Sequence, residues 1–200
     1  MREILSQSLK NKFVVFSGSP RKHGTTSRIS EMLSSSLIER GHVVTSIDCA
    51  STINPCISCY RCMELEKCIH KDSLSIFHND LLACRGIFII TPIYFFNMSS
   101  QTKAFMDRLF CVPLKNKIVC LITVSGSEGK DYGGYDIPHE SIRRIARYCG
   151  MLYIKGENFV TNDEILEMTE PIQKRIFRIL DRTERVMLHE AEGKKINKSR

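Results

Sequence analysis

Four cysteines fall within thirteen residues, in the pattern Cys56-x2-Cys59-x2-Cys62-x5-Cys68. Thiolates two residues apart can reach one metal centre, and four of them satisfy a [4Fe–4S] cluster. The same four could bind one structural zinc ion, or stand as reduced or oxidised thiols in a loop. Spacing alone leaves the three readings open. The other cysteines, Cys49, Cys84, Cys111, Cys120 and Cys149, lie in or beside apolar segments and read as small core residues. Nine cysteines in all, an odd count, and no apolar leader argue against a disulfide framework.

A second chemistry is anion binding. The run Ser17-Gly18-Ser19-Pro20-Arg21-Lys22-His23-Gly24-Thr25-Thr26-Ser27 holds five hydroxyls and two cations in eleven residues. An amphipathic segment with Ile29, Met32, Leu33 and Leu37 on one face follows it. Such a loop aims backbone N–H groups into one concavity, and the helix adds its unpaired N–H groups and positive dipole end. Ser19, Arg21, Thr25, Thr26 and Ser27 are therefore candidate phosphate contacts. The loop is neither G-x-x-x-x-G-K-[ST] nor G-x-G-x-x-G: five residues separate Gly18 from Gly24, and Thr25 stands where the P-loop has Lys.

Alternating strands and helices must position these groups. Phe13–Phe16, His42–Asp48, Gly86–Thr91, Lys117–Val124 and a stretch from Met151, extending toward Val160, read as strands. Between them, helical periodicity covers Thr26–Arg40, Ser73–Cys84, Ser99–Phe110 and the segment opened by Pro138, with a last helix from Pro171. The pattern predicts an α/β fold: a doubly wound, five-stranded parallel sheet with helices on both faces. Ligands of such sheets lie beyond the carboxyl ends of the strands. Two more loops arrive there. Pro92-Ile93-Tyr94-Phe95-Phe96-Asn97 offers three aromatics as a wall for a planar ring, and Ser125-Gly126-Ser127 offers small residues and backbone donors. No Ser–His–Asp set or carboxylate pair stands out, so binding residues are nominated and no catalytic base.

Composition bounds the rest. Two hundred residues with 42% hydrophobic and 26% charged residues suit a single domain, residues 1–192, with a Cys-rich insertion at 54–71 and a basic tail at 193–200. The net charge of +7 suits an anionic ligand. Aromatic–basic interleaving and nucleic-acid reader motifs are missing, as are a membrane-length apolar run and a signal sequence, so neither nucleic acid nor membrane is expected as a partner. The expected compartment is the cytoplasm.

Three stretches carry a resemblance: Gly18 to Thr26, Pro92 to Ser99, and Gln101-Thr102-Lys103-Ala104-Phe105-Met106-Asp107-Arg108. In this order, over roughly residues 12 to 160, the chain resembles the flavodoxin-fold NAD(P)H-dependent FMN reductases, and most closely their iron–sulfur flavoprotein branch. The resemblance implies a flavodoxin-like sheet order 2-1-3-4-5. It also implies FMN with its phosphate on the first loop and its isoalloxazine ring beside the second. The implied activity is hydride acceptance from NAD(P)H, with electrons passed to a quinone, a flavin or another acceptor. The alternative is an electron-transfer module between protein partners. A homodimer or homotetramer is implied as well. One departure is visible: Thr25 stands where the family commonly has Asn.

Overall fold

The computed structural model describes residues 10–49, 53–161 and 166–192; the basic tail at 193–200 lies outside them. Three uninterrupted apolar runs form the middle of the sheet. These are β1 (Lys12–Ser17), β3 (Gly86–Tyr94) and β5 (Ile118–Ser125). They are buried on both faces, which is why they lack alternation. β2 (Val43–Asp48) pairs with β1 at one edge. At the other edge β6 (Leu152–Ile154) and β7 (Asn158–Val160) pair in succession with β5. All these pairings are parallel, in the order β2-β1-β3-β5-β6. Counting β6 and β7 as one interrupted strand, and setting aside the two-residue β4 (Asn97–Met98) that folds back on β3, this is the expected 2-1-3-4-5 sheet.

Successive strand residues face opposite sides, so the sheet divides the core into two layers. Phe13, Val15, Phe88 and Ile90 meet α1 (Thr25–Glu39) and the long α8 (Glu170–Ala191) through residues such as Ile29, Leu33 and Ile176. Val14, Phe16, Ile87 and Ile89 meet α4 (His78–Ala83), α5 (Ser100–Arg108) and α7 (Asp136–Cys149). Within that second layer the Phe16 and Phe105 rings stack with centroids 3.9 Å apart.

Three local expectations change. The single helix expected over Ser73–Cys84 is two short ones, α3 (Ser73–Ile76) and α4, broken at Phe77. The Asp72 side chain caps α3 by accepting the Ser75 N–H, so the first turn is fixed independently of the second. The helix expected from Pro138 begins at Asp136, and the Gly-rich stretch before it contains a one-turn helix, α6 (Lys130–Gly133). Pro138 is tolerated as the third helical residue because the first N–H groups have no intrahelical acceptor. The fifth strand is interrupted at Lys155–Glu157, where Gly156 lies so close to the Leu121 carbonyl that any Cβ would overlap it. The Cys-rich insertion holds one short helix, α2 (Cys62–Leu65).

Candidate functional site

The three loops nominated from sequence emerge at the carboxyl ends of the adjacent strands β1, β3 and β5. Hydrogen bonds and close packing knit them together. Gly18 N–H donates to Ile90 O at 2.7 Å, and Ser99 Oγ donates to Gly18 O at 2.6 Å. Beneath them the hydroxyls of Thr91, Ser99 and Thr102 form a buried cluster, with Thr102 Oγ1 2.9 Å from both other oxygens. Gly18 must be glycine, since a Cβ there would overlap Thr102 Oγ1. The third loop meets the second where Gly134, at φ +60°, brings its backbone against Phe96; a Cβ would lie 2.5 Å from Phe96 Cα.

The first loop ends in an open helix terminus. Gly24, at the N-cap of α1, has no side chain to accept the free N–H groups, and the first turn carries no acidic residue. The positive end of the dipole is therefore neither capped nor neutralised by the helix itself. Ser19, Thr25, Thr26 and Ser27 are all buried around it, while Arg21 and Lys22 are exposed. Ser19 Oγ accepts Arg21 N–H at 3.2 Å, and Ser27 Oγ donates to Arg21 O at 3.1 Å, which fixes the loop's curvature. Thr25 Oγ1 accepts the Leu166 N–H at 3.0 Å. Its oxygen is thereby tied to the segment leading into α8. Ser17, at the base of the loop, keeps a buried Oγ with no hydrogen-bond partner among the described residues. In sequence Ser17 counts among the loop's hydroxyls but not among the candidate phosphate contacts; the structure makes it the last residue of β1.

The second loop is a two-residue hairpin. Tyr94 pairs with Asn97, and Phe95 and Phe96 at the tip have φ of +46° and +65°. Left-handed turns of this kind favour Asn and Gly. None of the three aromatics packs inward: Tyr94 is 40%, Phe96 49% and Phe95 97% exposed. Pro92 is buried and Ile93 half-buried beneath them. In the third loop Ser125 Oγ donates to Ser127 O at 3.0 Å and accepts from Asn158 Nδ2 at 2.9 Å. Asn158 accepts in turn from Thr123, which also contacts His139 Nε2 at 3.1 Å. Burial lowers the His139 pKa to about 4, so this imidazole is neutral at physiological pH.

The four clustered cysteines come together. Cys56, Cys59, Cys62 and Cys68 line one cavity of about 340 Å³, bordered also by Phe110 and His70. Left-handed residues Ser58, Tyr60 and Glu66 bend the chain around it, and Ser58 N–H points at Cys56 Sγ at 3.4 Å. None of the four is joined in a disulfide to another described residue. Among the described residues no three His, Cys, Asp or Glu side chains converge on a point that would hold a single metal ion. Of the remaining cysteines, Cys49, Cys84 and Cys120 are buried as expected, and Cys111 and Cys149 half-buried.

A model of the NADPH-dependent FMN reductase family matches residues 11–164. The chain belongs to this family. It is thereby an FMN-dependent oxidoreductase. Similar proteins include an iron–sulfur flavoprotein of Methanocaldococcus jannaschii, 31% identical over 154 residues that cover 73% of this chain and 76% of that protein. An iron–sulfur flavoprotein of Archaeoglobus fulgidus is 29% identical over 156 residues, 74% of this chain and 78% of its own. Among solved structures, an archaeal flavodoxin superposes with TM-score 0.58 at 16% identity, covering 88% of this chain and 98% of that one. RosB, solved with an 8-formylated riboflavin phosphate intermediate, gives TM-score 0.68 at 11% identity over 90% and 81% of the two chains. At these identities the structures show the flavodoxin-like fold. Among the described residues no helix is long and apolar enough to cross a membrane.

Proposed function

We propose that this single-domain chain binds FMN across the three loops and passes electrons from NAD(P)H to a quinone, a flavin or another acceptor. The observation that carries the reading is the uncapped N-terminus of α1, ringed by the buried hydroxyls of Ser19, Thr25, Thr26 and Ser27 beside an exposed aromatic turn. The phosphate takes the N–H groups of the first turn, with Arg21 closing over it from solvent. The ring lies between Pro92–Asn97 and Ser125–Ser127. Bound there, FMN supplies a two-electron acceptor for a nicotinamide hydride. The protein orients it: the Asn158–Ser125 hydrogen bond stiffens one wall, and the Gly134–Phe96 contact sets the gap to the other. Arg21→Ala should weaken FMN at least tenfold more than riboflavin, which lacks the phosphate. Equal losses would refute the phosphate assignment. A homodimer or homotetramer is proposed too, because three aromatics on one exposed loop exceed what a monomer usually leaves bare.

One observation favours a second reading. Four thiols around a single cavity suit a [4Fe–4S] cluster, whose ligands are spread over a cube. The same four thiols could instead hold one zinc ion at about 2.3 Å. If Cys56, Cys59, Cys62 and Cys68 hold a cluster, the protein serves as an electron-transfer module with a one-electron outlet. The relatives' names are consistent with this. Anaerobic reconstitution should then give about four iron and four sulfide per chain. Stoichiometric zinc, or no metal, would leave a plain FMN reductase. Steady-state NAD(P)H oxidation with small acceptors separates an enzyme from a relay between proteins. The cytoplasm remains the proposed compartment.

A further inference from the structure

The two ends of the cysteine loop meet at one buried ion pair. Arg108 Nη1 donates to an Asp72 carboxylate oxygen and, at 3.3 Å, to Asn54 O. The two side chains are 2% and 6% exposed. The same carboxylate accepts Asn54 N–H at 2.9 Å, Asn54 Nδ2 at 3.3 Å and Ser75 N–H at 3.3 Å. Asn54 opens the Cys-rich insertion and Asp72 follows its last residue. One guanidinium therefore closes the loop at its base. Burial pushes the Asp72 pKa up, but the hydrogen bonds from Arg108 and the Asn54 amide outweigh it, and the carboxyl stays ionised below its usual range.

Arg108 is the last residue of α5, and the first turn of that helix is fastened to the flavin loops. Ser99, its N-cap, accepts Thr102 N–H and donates to Gly18 O. The helix is therefore a strut of about 13 Å, from nine residues at about 1.5 Å each. One end grips the first two loops and the other grips Asn54 and Asp72 at the base of the cysteine loop. A buried ion pair is a poor choice for stability alone, since apolar residues of equal volume often do as well or better. An apolar pair could not hold Asn54 O and the Asp72 carboxylate in a fixed direction.

We propose that Arg108 is a positioning residue, which with Asp72 sets the base of the cysteine loop at a fixed distance from the flavin loops. As far as it concerns a cluster, this rests on the iron–sulfur reading above; as far as it concerns the loop, it does not. Three variants test it: Arg108→Met, Arg108→Lys, which keeps a donor able to reach Asp72, and Arg108→Met with Asp72→Asn, which leaves no unpaired buried charge. Amide exchange is measured on the metal-free protein, FMN affinity by flavin fluorescence, and iron after anaerobic reconstitution. In Arg108→Met and in the double variant, the Asn54 and Ser75 amides should exchange at least tenfold faster. Amides of β1 and β3, and the FMN dissociation constant, should stay within twofold. Iron per chain should fall by more than half, and Arg108→Lys should recover most of it. Unchanged exchange at Asn54 and Ser75 would overturn the proposal. So would equal acceleration across the sheet in the double variant, which would make Arg108 a general core residue. Wild-type protein that takes up no iron while the exchange pattern holds would sink the cluster reading and leave the loop-closing role intact.

Discussion

Replacing Gly18 by Ala tests how tightly the phosphate loop is built into the hydroxyl cluster below it. The new methyl would overlap Thr102 Oγ1, and it would also lie 3.1 Å from Ile90 O and 3.2 Å from Phe16 Cε1. The carbonyl belongs to a central strand and the Phe16 ring is stacked on Phe105, so neither can give way. Thr102 Oγ1 must move and lose its 2.9 Å contacts to Thr91 and Ser99. Thr102 Oγ1 is then left buried without a partner, at about 1–3 kcal/mol, whereas Ser99 keeps Gly18 O and Thr91 keeps Pro92 O. Overpacking adds about 1–3 kcal/mol. Relaxation recovers part of this, so the expected loss is roughly 2–5 kcal/mol, a large share of the ~5–15 kcal/mol stability of an ordinary domain. Urea unfolding of the flavin-free protein, followed by far-ultraviolet circular dichroism, measures it as a lower midpoint at unchanged slope. Adding Thr102→Ala removes the overlapping oxygen. The double variant should be more stable than Gly18→Ala alone by at least about 1 kcal/mol, a sign reversal that independent sites would not give. A Gly18→Ala protein within about 0.5 kcal/mol of wild type, or a double variant no better than the single, would refute the reasoning.

Two other outcomes follow from the site's geometry. The His139 pKa is about 4 in the fold against 6.5 for the free side chain, so the unfolded chain takes up the proton first. The penalty is absent above about pH 6.5 and grows as pH falls toward 4, reaching at most about 3 kcal/mol at ~1.36 kcal/mol per unit. His139→Gln, which keeps a polar partner for Thr123, should flatten this acid limb in pH-dependent unfolding; an identical limb would remove His139 as its source. At the hairpin tip, replacing Phe95 by Asn and Phe96 by Gly should stabilise the flavin-free protein by roughly 1–3 kcal/mol, because the left-handed strain is relieved with little burial lost. The same variant should bind FMN more weakly; tighter or equal flavin binding would show that the aromatics are not part of the ring site.

The sheet was legible because its signal is local. Val14-Val15-Phe16 and Ile87-Phe88-Ile89-Ile90 can only be central strands, and the loops after them are placed by topology. The proposed phosphate loop stood out for the same reason, since its hydroxyls and cations fall within eleven residues. What escaped is non-local. Nothing near Arg108 in sequence announces that it reaches Asp72 and Asn54, thirty-six and fifty-four residues away. The Thr91–Ser99–Thr102 cluster likewise depends on β3 meeting α5 over Gly18. The break at Phe77 was hidden because Leu74, Phe77 and Leu81 keep a helical period across it, whereas Asp72 capping sets α3 separately. The exposure of Phe95 was equally unreadable: three aromatics in a row carry an apolar signal whichever way the turn directs them.

The interruption at Gly156 has a consequence for how this molecule meets its own kind. β6 and β7 pair with β5 over three residues each, with Lys155–Glu157 between them. An unbroken outer strand would present a long row of free amides and carbonyls to any passing extended chain. Here that row is cut in two, and Arg175 and Arg182 hold Glu157 and the nearby carbonyls of Asn158 and Lys155. Edge-to-edge growth into fibres is thereby denied a template on this side of the sheet. The exposed aromatics of the second loop can then serve the proposed flavin site or a second subunit without this edge adding a backbone template of its own.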